Sequence, residues 1–315
     1  MSRHLTQQVV TIIPILLLVT GIVFLFAHLA PGDPVTALAG DQAIDPEVVA
    51  QLRASYGLDR SLPVQYITWI GNLFTGDFGY SFTTRQPVSS ILIERLSVTL
   101  VLTLFALVIA ITGALVTGVL AAIHKGTWFD HLNQLLAMLG GSMPAFWLGI
   151  LLILVVAQKL QWLPASGYVS LADDPIQALR HLLLPAITLS AGYAAVLSRV
   201  ARASMLDVLH EDYIRTARAK GLTDRQVNVK HALRSALLPI ITMVGVETGH
   251  LLGGAVITET VFALPGMGRL LVDAVSSRDF PVVQGATLIL VVLLMASNSL
   301  ADIAYGFADP RVRRG

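Results

Sequence analysis

Residues 97–123 read SVTLVLTLFALVIAITGALVTGVLAAI, an unbroken run without one charged side chain. At 1.5 Å of rise per residue such a helix is about 40 Å long, more than the roughly 30 Å hydrocarbon core of a bilayer. A helix on the surface of a soluble protein would show a polar face at a 3.6-residue period, and this one has none. Lipid is therefore its solvent, and helix the conformation that satisfies its backbone there.

The same length-and-polarity rule selects five further stretches: Val9–Leu29, Leu132–Leu160, Leu182–Met205, Ala236–Val261 and Val282–Tyr305. Only 13% of residues are charged and the mean hydropathy is +0.72, against about 25% charged in soluble domains. The expectation is an all-α membrane protein of six transmembrane helices. Val9–Leu29 is too long for a signal-peptide core and no small-residue cleavage site follows it, so it reads as a retained first helix. Residues 1–96 then hold this helix and a polar segment, and residues 97–315 a core of five helices. The chain has no cysteine and a net charge of +1. That excludes thiol chemistry and Cys-based metal sites, and no metal or nucleic-acid role is expected.

Cytoplasmic loops retain Lys and Arg. With the N-terminus inside, 13 of the 21 basic residues fall on the cytoplasmic side, so both termini are expected there. The segment 31–96 is then external. Asp45-Pro46-Glu47 can open a helix that Gly57 stops, and a second short helix is expected from Pro63 to Thr75, with Val64, Ile67, Ile70, Leu73 and Phe74 along one stripe.

The connection at residues 206–234 is the most informative. Leu206, Leu209, Tyr213 and Ala217 recur at steps of three and four, with Glu211 and Arg215 spaced as an i,i+4 pair on another face. Lys220 sits in the last turn, and Gly221 can take the left-handed conformation that ends a helix. Thr223-Asp224-Arg225-Gln226 reads as a capping box opening a second helix. Helix, glycine break and helix make a rigid elbow.

Inside the fifth span, Gly245, Gly249 and Gly253 form a face that permits close packing. Glu247 and His250 lie on the opposite face. The sixth span carries Gln284, Thr287, Asn298, Asp302 and Tyr305 on one side. An ionisable residue at mid-span rarely faces lipid. Glu247, His250, Gln284, Thr287 and Asn298 are accordingly candidates for a translocation path, with interhelical packing as the competing explanation. The chain has no G-x-x-x-x-G-K-[ST], H-E-x-x-H or G-x-S-x-G motif, which disfavours ATP binding and hydrolase chemistry by those routes. A membrane-embedded enzyme using Glu247 and His250 as an acid–base pair is the alternative of a different class.

Residues 211–222, EDYIRTARAKGL, resemble the EAA-type loop of permease subunits of binding-protein-dependent ABC importers, in the dipeptide, oligopeptide and nickel branch. Seven further stretches resemble that family in order: HLAPGDP (28–34), GLDRSLPVQY (57–66), GDFGYS (76–81), LPASGY (163–168), LGGAVITETVFALPGMGR (252–269), RDFPVV (278–283) and DPR (309–311). The general E-A-A-x-x-x-G pattern is kept only at Ala217 and Gly221; Arg215 and Thr216 replace its Glu and first Ala. The resemblance implies a type I importer fold in the bacterial inner membrane. It implies no enzyme activity and no cofactor in this chain, with ATP and Mg bound by partners. Those partners would be a homologous second permease, two ATPase domains and an external solute-binding protein. The ATPase-coupling residues would be Leu209, Glu211, Asp212, Tyr213, Ile214, Thr216, Ala217, Ala219, Lys220, Gly221 and Leu222. A di- or oligopeptide is the implied substrate, with nickel, a metal–chelator complex or glutathione as alternatives.

The charge distribution generates a direct test. Reporter fusions after Thr127 and Gly221 are expected to be cytoplasmic and those after Asp59 and Asp174 external; an external signal at Gly221 would overturn the six-helix arrangement.

Overall fold

The computed structural model describes residues 13–25 and 59–308, apart from the side chains of residues 246, 247 and 301–308. The expected helix between Asp45 and Tyr56, the stretches 28–34 and 309–311, and the side chains of Glu247, Asp302 and Tyr305 lie outside the described residues. Within them the secondary structure is helical. In chain order come α1 (Ile13–Leu25), α2 (Leu62–Phe74), α3 (Val88–Ile123), α4 (Trp128–Ser142) and α5 (Ala145–Leu152), which continues as a π-helical turn over Ile153–Lys159. Next are α6 (Pro175–Leu209), the short α7 (Asp212–Ala219), a π-helical turn over Gln226–Ala232 leading into α8 (Leu233–Val261), α9 (Met267–Ser276) and α10 (Phe280–Ala308). Helices α3 and α6 and residues 280–300 of α10 are each long and apolar enough to cross a membrane. Two bent helix pairs pass the same test together, α4 with α5 and its π turn, and Gln226–Gly245 with Thr248–Val261, whose break falls within α8.

The chain forms two compact units, one of Met1–Val98 with Pro265–Val292, the other of Thr99–Leu264 with Leu293–Gly315. In the first, α2 matches the expected short helix, but a different face packs. Tyr66 and Trp69 stack around Phe24 of α1, with ring centroids 5.3 and 6.0 Å away, and a 2.9 Å hydrogen bond joins the Tyr66 and Thr20 hydroxyls. The Tyr66–Trp69 face therefore packs, and Val64, Ile67 and Phe74 are left exposed. Elsewhere in this unit Val88 and Leu92 of α3 are fully buried against Met267, Val282, Val283 and Ala286. The close approach is made at Gly285, where a Cβ would lie 2.9 Å from Leu92 Cδ1. The Asp279 carboxylate, 3% exposed, accepts a hydrogen bond from the Ser81 hydroxyl at 2.5 Å and from the backbone N–H groups of Phe82 and Thr83 at 3.1 and 3.2 Å. The stretches GDFGYS and RDFPVV are therefore halves of one clamp.

The second unit corrects two expectations. The stretch Leu132–Leu160 is not one straight span: α4 and α5 meet at 110°. Pro144 cannot donate a backbone hydrogen bond and disfavours helical geometry at the residue before it. Met143 is accordingly extended, at φ −81° and ψ 130°. The chain restarts at once, with Trp147 and Leu148 N–H groups donating to the Pro144 carbonyl. Helix α6 begins with the Asp174 carboxylate accepting from the Ile176 and Gln177 N–H groups and Pro175 at the first turn, an arrangement that satisfies otherwise orphaned donors. The glycine face of α8 is also narrower than expected. Gly249 is tightly met, a Cβ there lying 2.9 Å from Asn298 Oδ1 and Leu294 Cδ1, whereas nothing lies within 4 Å of a Cβ at Gly253.

Candidate functional site

The elbow is the site most completely specified by local chemistry. Helix α6 runs through Leu206 and Leu209 to a cap at His210, and Glu211, extended at φ −67° and ψ 146°, is the N-cap of α7. The elbow helix is thus Asp212–Ala219, two turns long, and does not include Leu206 and Leu209. Their three- and four-residue spacing with Tyr213 reflects the period of α6 continuing past its end. Nor does Glu211 pair with Arg215, because a capping residue is not on the helix; Arg215 instead reaches Asp212 at 2.7 Å, both side chains exposed.

The exit is built as the sequence indicates. Gly221 has φ +80°, its N–H donates to the Arg218 carbonyl at 2.9 Å and the Leu222 N–H to the Ala217 carbonyl at 3.4 Å. This pair of bonds is the Schellman motif, which satisfies the last carbonyls of α7. Two residues on, the Thr223 N–H donates to Gln226 Oε1 at 3.1 Å and the Gln226 N–H to Thr223 Oγ1 at 3.4 Å, the reciprocal bonds of a capping box. The second arm does not stop at Arg234; it passes through the π turn into α8.

Burial divides α7 into two faces. Ile214 is fully buried and Ala217 nearly so, in a cluster with Ala122 of α3, Met205 of α6 and Val227, Ala232 and Ala236 of the second arm. Leu209 and Leu222 pack partly against the same cluster. Glu211, Asp212, Tyr213, Thr216, Ala219, Lys220 and Gly221 are exposed, together with Arg215 and Arg218. The outward face is thus polar and cationic, with Tyr213 as its one aromatic; its hydroxyl donates to Ser235 Oγ at 3.0 Å. Arg215 and Arg218 belong to this face and were not among the candidates, since the period alone does not say which way a helix turns.

The candidates for a path fall in both units. Gln284 is buried and Thr287 half-buried in the first unit. In the second unit Asn298 packs over Gly249, and His250 borders a cavity of about 230 Å³ beside the α4–α5 break, with Met143, Thr188 and Tyr193 in its wall. The Tyr193 hydroxyl donates to the Val244 carbonyl at 3.1 Å. Besides Asp279, two buried carboxylates escaped the sequence reading. Glu259, fully buried, accepts from the Thr99 hydroxyl at 2.5 Å, and Asp130, 1% exposed, is gripped by Arg202 through Nε at 2.6 Å and a terminal nitrogen at 2.8 Å. The available signal was a charge beside or within an apolar run, which needs a partner in a membrane bundle. Among the described residues no group of three or more His, Asp or Glu is arranged to hold a metal ion.

A helical bundle with broken spans and an elbow between two of them matches known sequences along the whole chain. Residues 114–314 match the family described as binding-protein-dependent transport system inner membrane component, and residues 1–103 match that described as the N-terminal part of a membrane component of such systems. The chain belongs to this permease family. A protein of Brucella abortus (strain 2308) named for a peptide transport system permease is 45% identical over 313 residues, covering 99% of each chain. The dipeptide transport system permease protein DppB of Escherichia coli (strain K12) is 42% identical and the di/tripeptide transport system permease protein DppB of Pseudomonas aeruginosa (strain UCBPP-PA14) 41%, again with 99% of each chain covered. The solved structure of an amino acid ABC transporter with histidines superposes with a TM-score of 0.51 at 17% identity, over 69% of this chain and 94% of that one. The permease is therefore a multi-pass inner-membrane transport component of the type I importer fold and not an enzyme. Membership of the family brings ATPase and binding-protein partners in general terms.

The inner face of α7 can be tested alone. Ile214→Ala is expected to weaken the elbow by about 2–5 kcal/mol, the range for truncating a buried large aliphatic side chain. The readout is tryptic cleavage at the exposed Arg215, Arg218 and Lys220 of the permease in membranes, which should accelerate, whereas Arg225→Ala should leave it unchanged.

Proposed function

We propose that this chain is one of two homologous permease subunits that together enclose the translocation path of an ABC importer for di- and oligopeptides, and that the exposed face of α7 carries the stroke of the ATPase domains to that path. The observation that carries this reading is the elbow: a two-turn helix locked at both ends, seated on α3, α6 and the second arm, and turned outward with polar residues. Such a part moves as one body when pushed. The substrate class is supported by the relatives, 41–45% identical, whose names refer to peptides, dipeptides and tripeptides. In this reading six helices cross the membrane with both termini in the cytoplasm. Residues 1–96 supply the first helix and an external segment, and residues 97–315 the core. Two ATPase domains, on one or two chains, bind ATP and Mg below, and a solute-binding protein delivers peptide from above. Glu247, His250, Gln284, Thr287 and Asn298 line the path, completed by the second permease.

The test is reconstitution of the permease with its second permease, ATPase subunits and binding protein in liposomes. ATP-driven uptake of a labelled dipeptide is expected only when the binding protein is present. Tyr213→Asp should leave the permease in the membrane but reduce ATPase copurification and ligand-stimulated hydrolysis about tenfold or more, as expected when an interfacial aromatic anchor is replaced by a charge. Uptake of nickel–chelate or glutathione with no uptake of peptides would overturn the substrate class. Undiminished ATPase binding and stimulation in Tyr213→Asp would overturn the role of the elbow.

A further inference from the structure

Helices α4 and α6 lie antiparallel, and the contact between them changes character along its length. Near the elbow it is polar and fixed. Arg202 holds both oxygens of Asp130, which also accept the Gly126 N–H at 3.0 Å and the Gln134 side-chain amide at 3.1 Å. One turn along, the Ser198 hydroxyl donates to Asn133 Oδ1 at 3.2 Å and lies 3.2 Å from Thr117 Oγ1 of α3. At Gly118 the α3 backbone is so close to α6 that a Cβ would stand 2.5 Å from the Ser198 carbonyl oxygen. Toward the α4–α5 break the contact is made by small residues. A Cβ at Gly140 would lie 3.4 Å from that of Ala195, one at Gly141 3.9 Å from it and equally far from a terminal nitrogen of Arg199, the one long side chain there, and one at Gly192 3.8 Å from the Gly140 carbonyl. Just beyond is the cavity bordered by Met143 and His250.

A guanidinium held by both carboxylate oxygens fixes distance and angle together. Helices that meet through Gly and Ala have few interlocking side chains to oppose a shear. One end of the pair is therefore pinned and the other is built to slide. Met205, within one turn of Arg202, is part of the core under α7, so a displacement of the elbow enters α6 at the pin. Resting on the reading of the chain as an importer permease, we propose that Arg202 is a positioning residue: its fork on Asp130 makes α3, α4 and α6 one body beside the elbow, and elbow motion is released as sliding at Gly140–Gly141 against Ala195, which reshapes the cavity at the break.

The chain contains no cysteine, which makes the sliding end directly accessible to cross-linking. The 3.9 Å separation at Gly141 and Ala195 is within the roughly 3.5–4.5 Å Cβ spacing of disulfides. In the complete transporter, Gly141→Cys with Ala195→Cys is expected to cross-link at clearly different rates with and without ATP, a readout that needs no peptide. Once oxidised, the transporter should lose dipeptide uptake and regain it with dithiothreitol. Arg202→Lys, which keeps the charge but not the fork, should reach the membrane normally and take up roughly tenfold less peptide per ATP hydrolysed, within the usual range of coupling between sites. Equal cross-linking rates in both nucleotide states, full uptake by the oxidised pair, or unchanged uptake per ATP in Arg202→Lys would each overturn the proposal. A transporter that takes up no peptide even with the unaltered chain, while its cross-linking still responds to ATP, would instead contradict the substrate reading and leave the pin standing.

Discussion

Burial of Ile214 and Ala217 is the interaction on which the elbow of this permease depends. A two-turn helix is not stable in isolation, because nucleation costs more than so few hydrogen bonds return. Helix α7 exists because these two side chains fill a site lined by Ala122, Met205, Val227, Ala232 and Ala236. The small residues in that list let the surrounding helices come close, and the two larger aliphatic partners, Met205 and Val227, fill the space between them. Since the site draws on α3, α6 and the second arm, α7 cannot shift without moving all three. The same burial decides which residues remain for a partner: with Ile214 and Ala217 turned in, Asp212, Arg215, Thr216 and Ala219 must face out.

What could be read in advance divides along the range of the interactions. Gly221 with its positive φ, and Thr223 with Gln226, act within a few residues, and their sequence signals are legible without knowing the fold. The apolar runs were legible for the same reason, since hydrocarbon demands length and composition and little else. The start of α7 was not, because Leu206 and Leu209 have the same period whether they end α6 or open the elbow; the extended backbone at Glu211 decides it. The break at Met143-Pro144 was written in the proline, but the apolar run on both sides masked it.

The polar groups within and beside the apolar helices show the limit most clearly. Asp130 is answered by Arg202, Glu259 by Thr99 and Asp279 by Ser81. Each partner lies 72 to 198 positions away in sequence, so no local pattern announces it. Buried charges require such partners, and the fold supplies them by placing distant helices side by side. Of the candidate path residues, Gln284 is buried in the first unit and Asn298 packs over Gly249 in the second.

We propose that the outward face of α7, not its buried face, is where the ATPase subunits grip. In a chain without native cysteines, Thr216→Cys and Ala219→Cys place single thiols on that face, and the rate of maleimide labelling can be compared in membranes with and without the ATPase subunits. Strong protection of both positions when the ATPases are bound, reversed when they are stripped away, is the predicted result. Equal labelling in the two states would contradict the account.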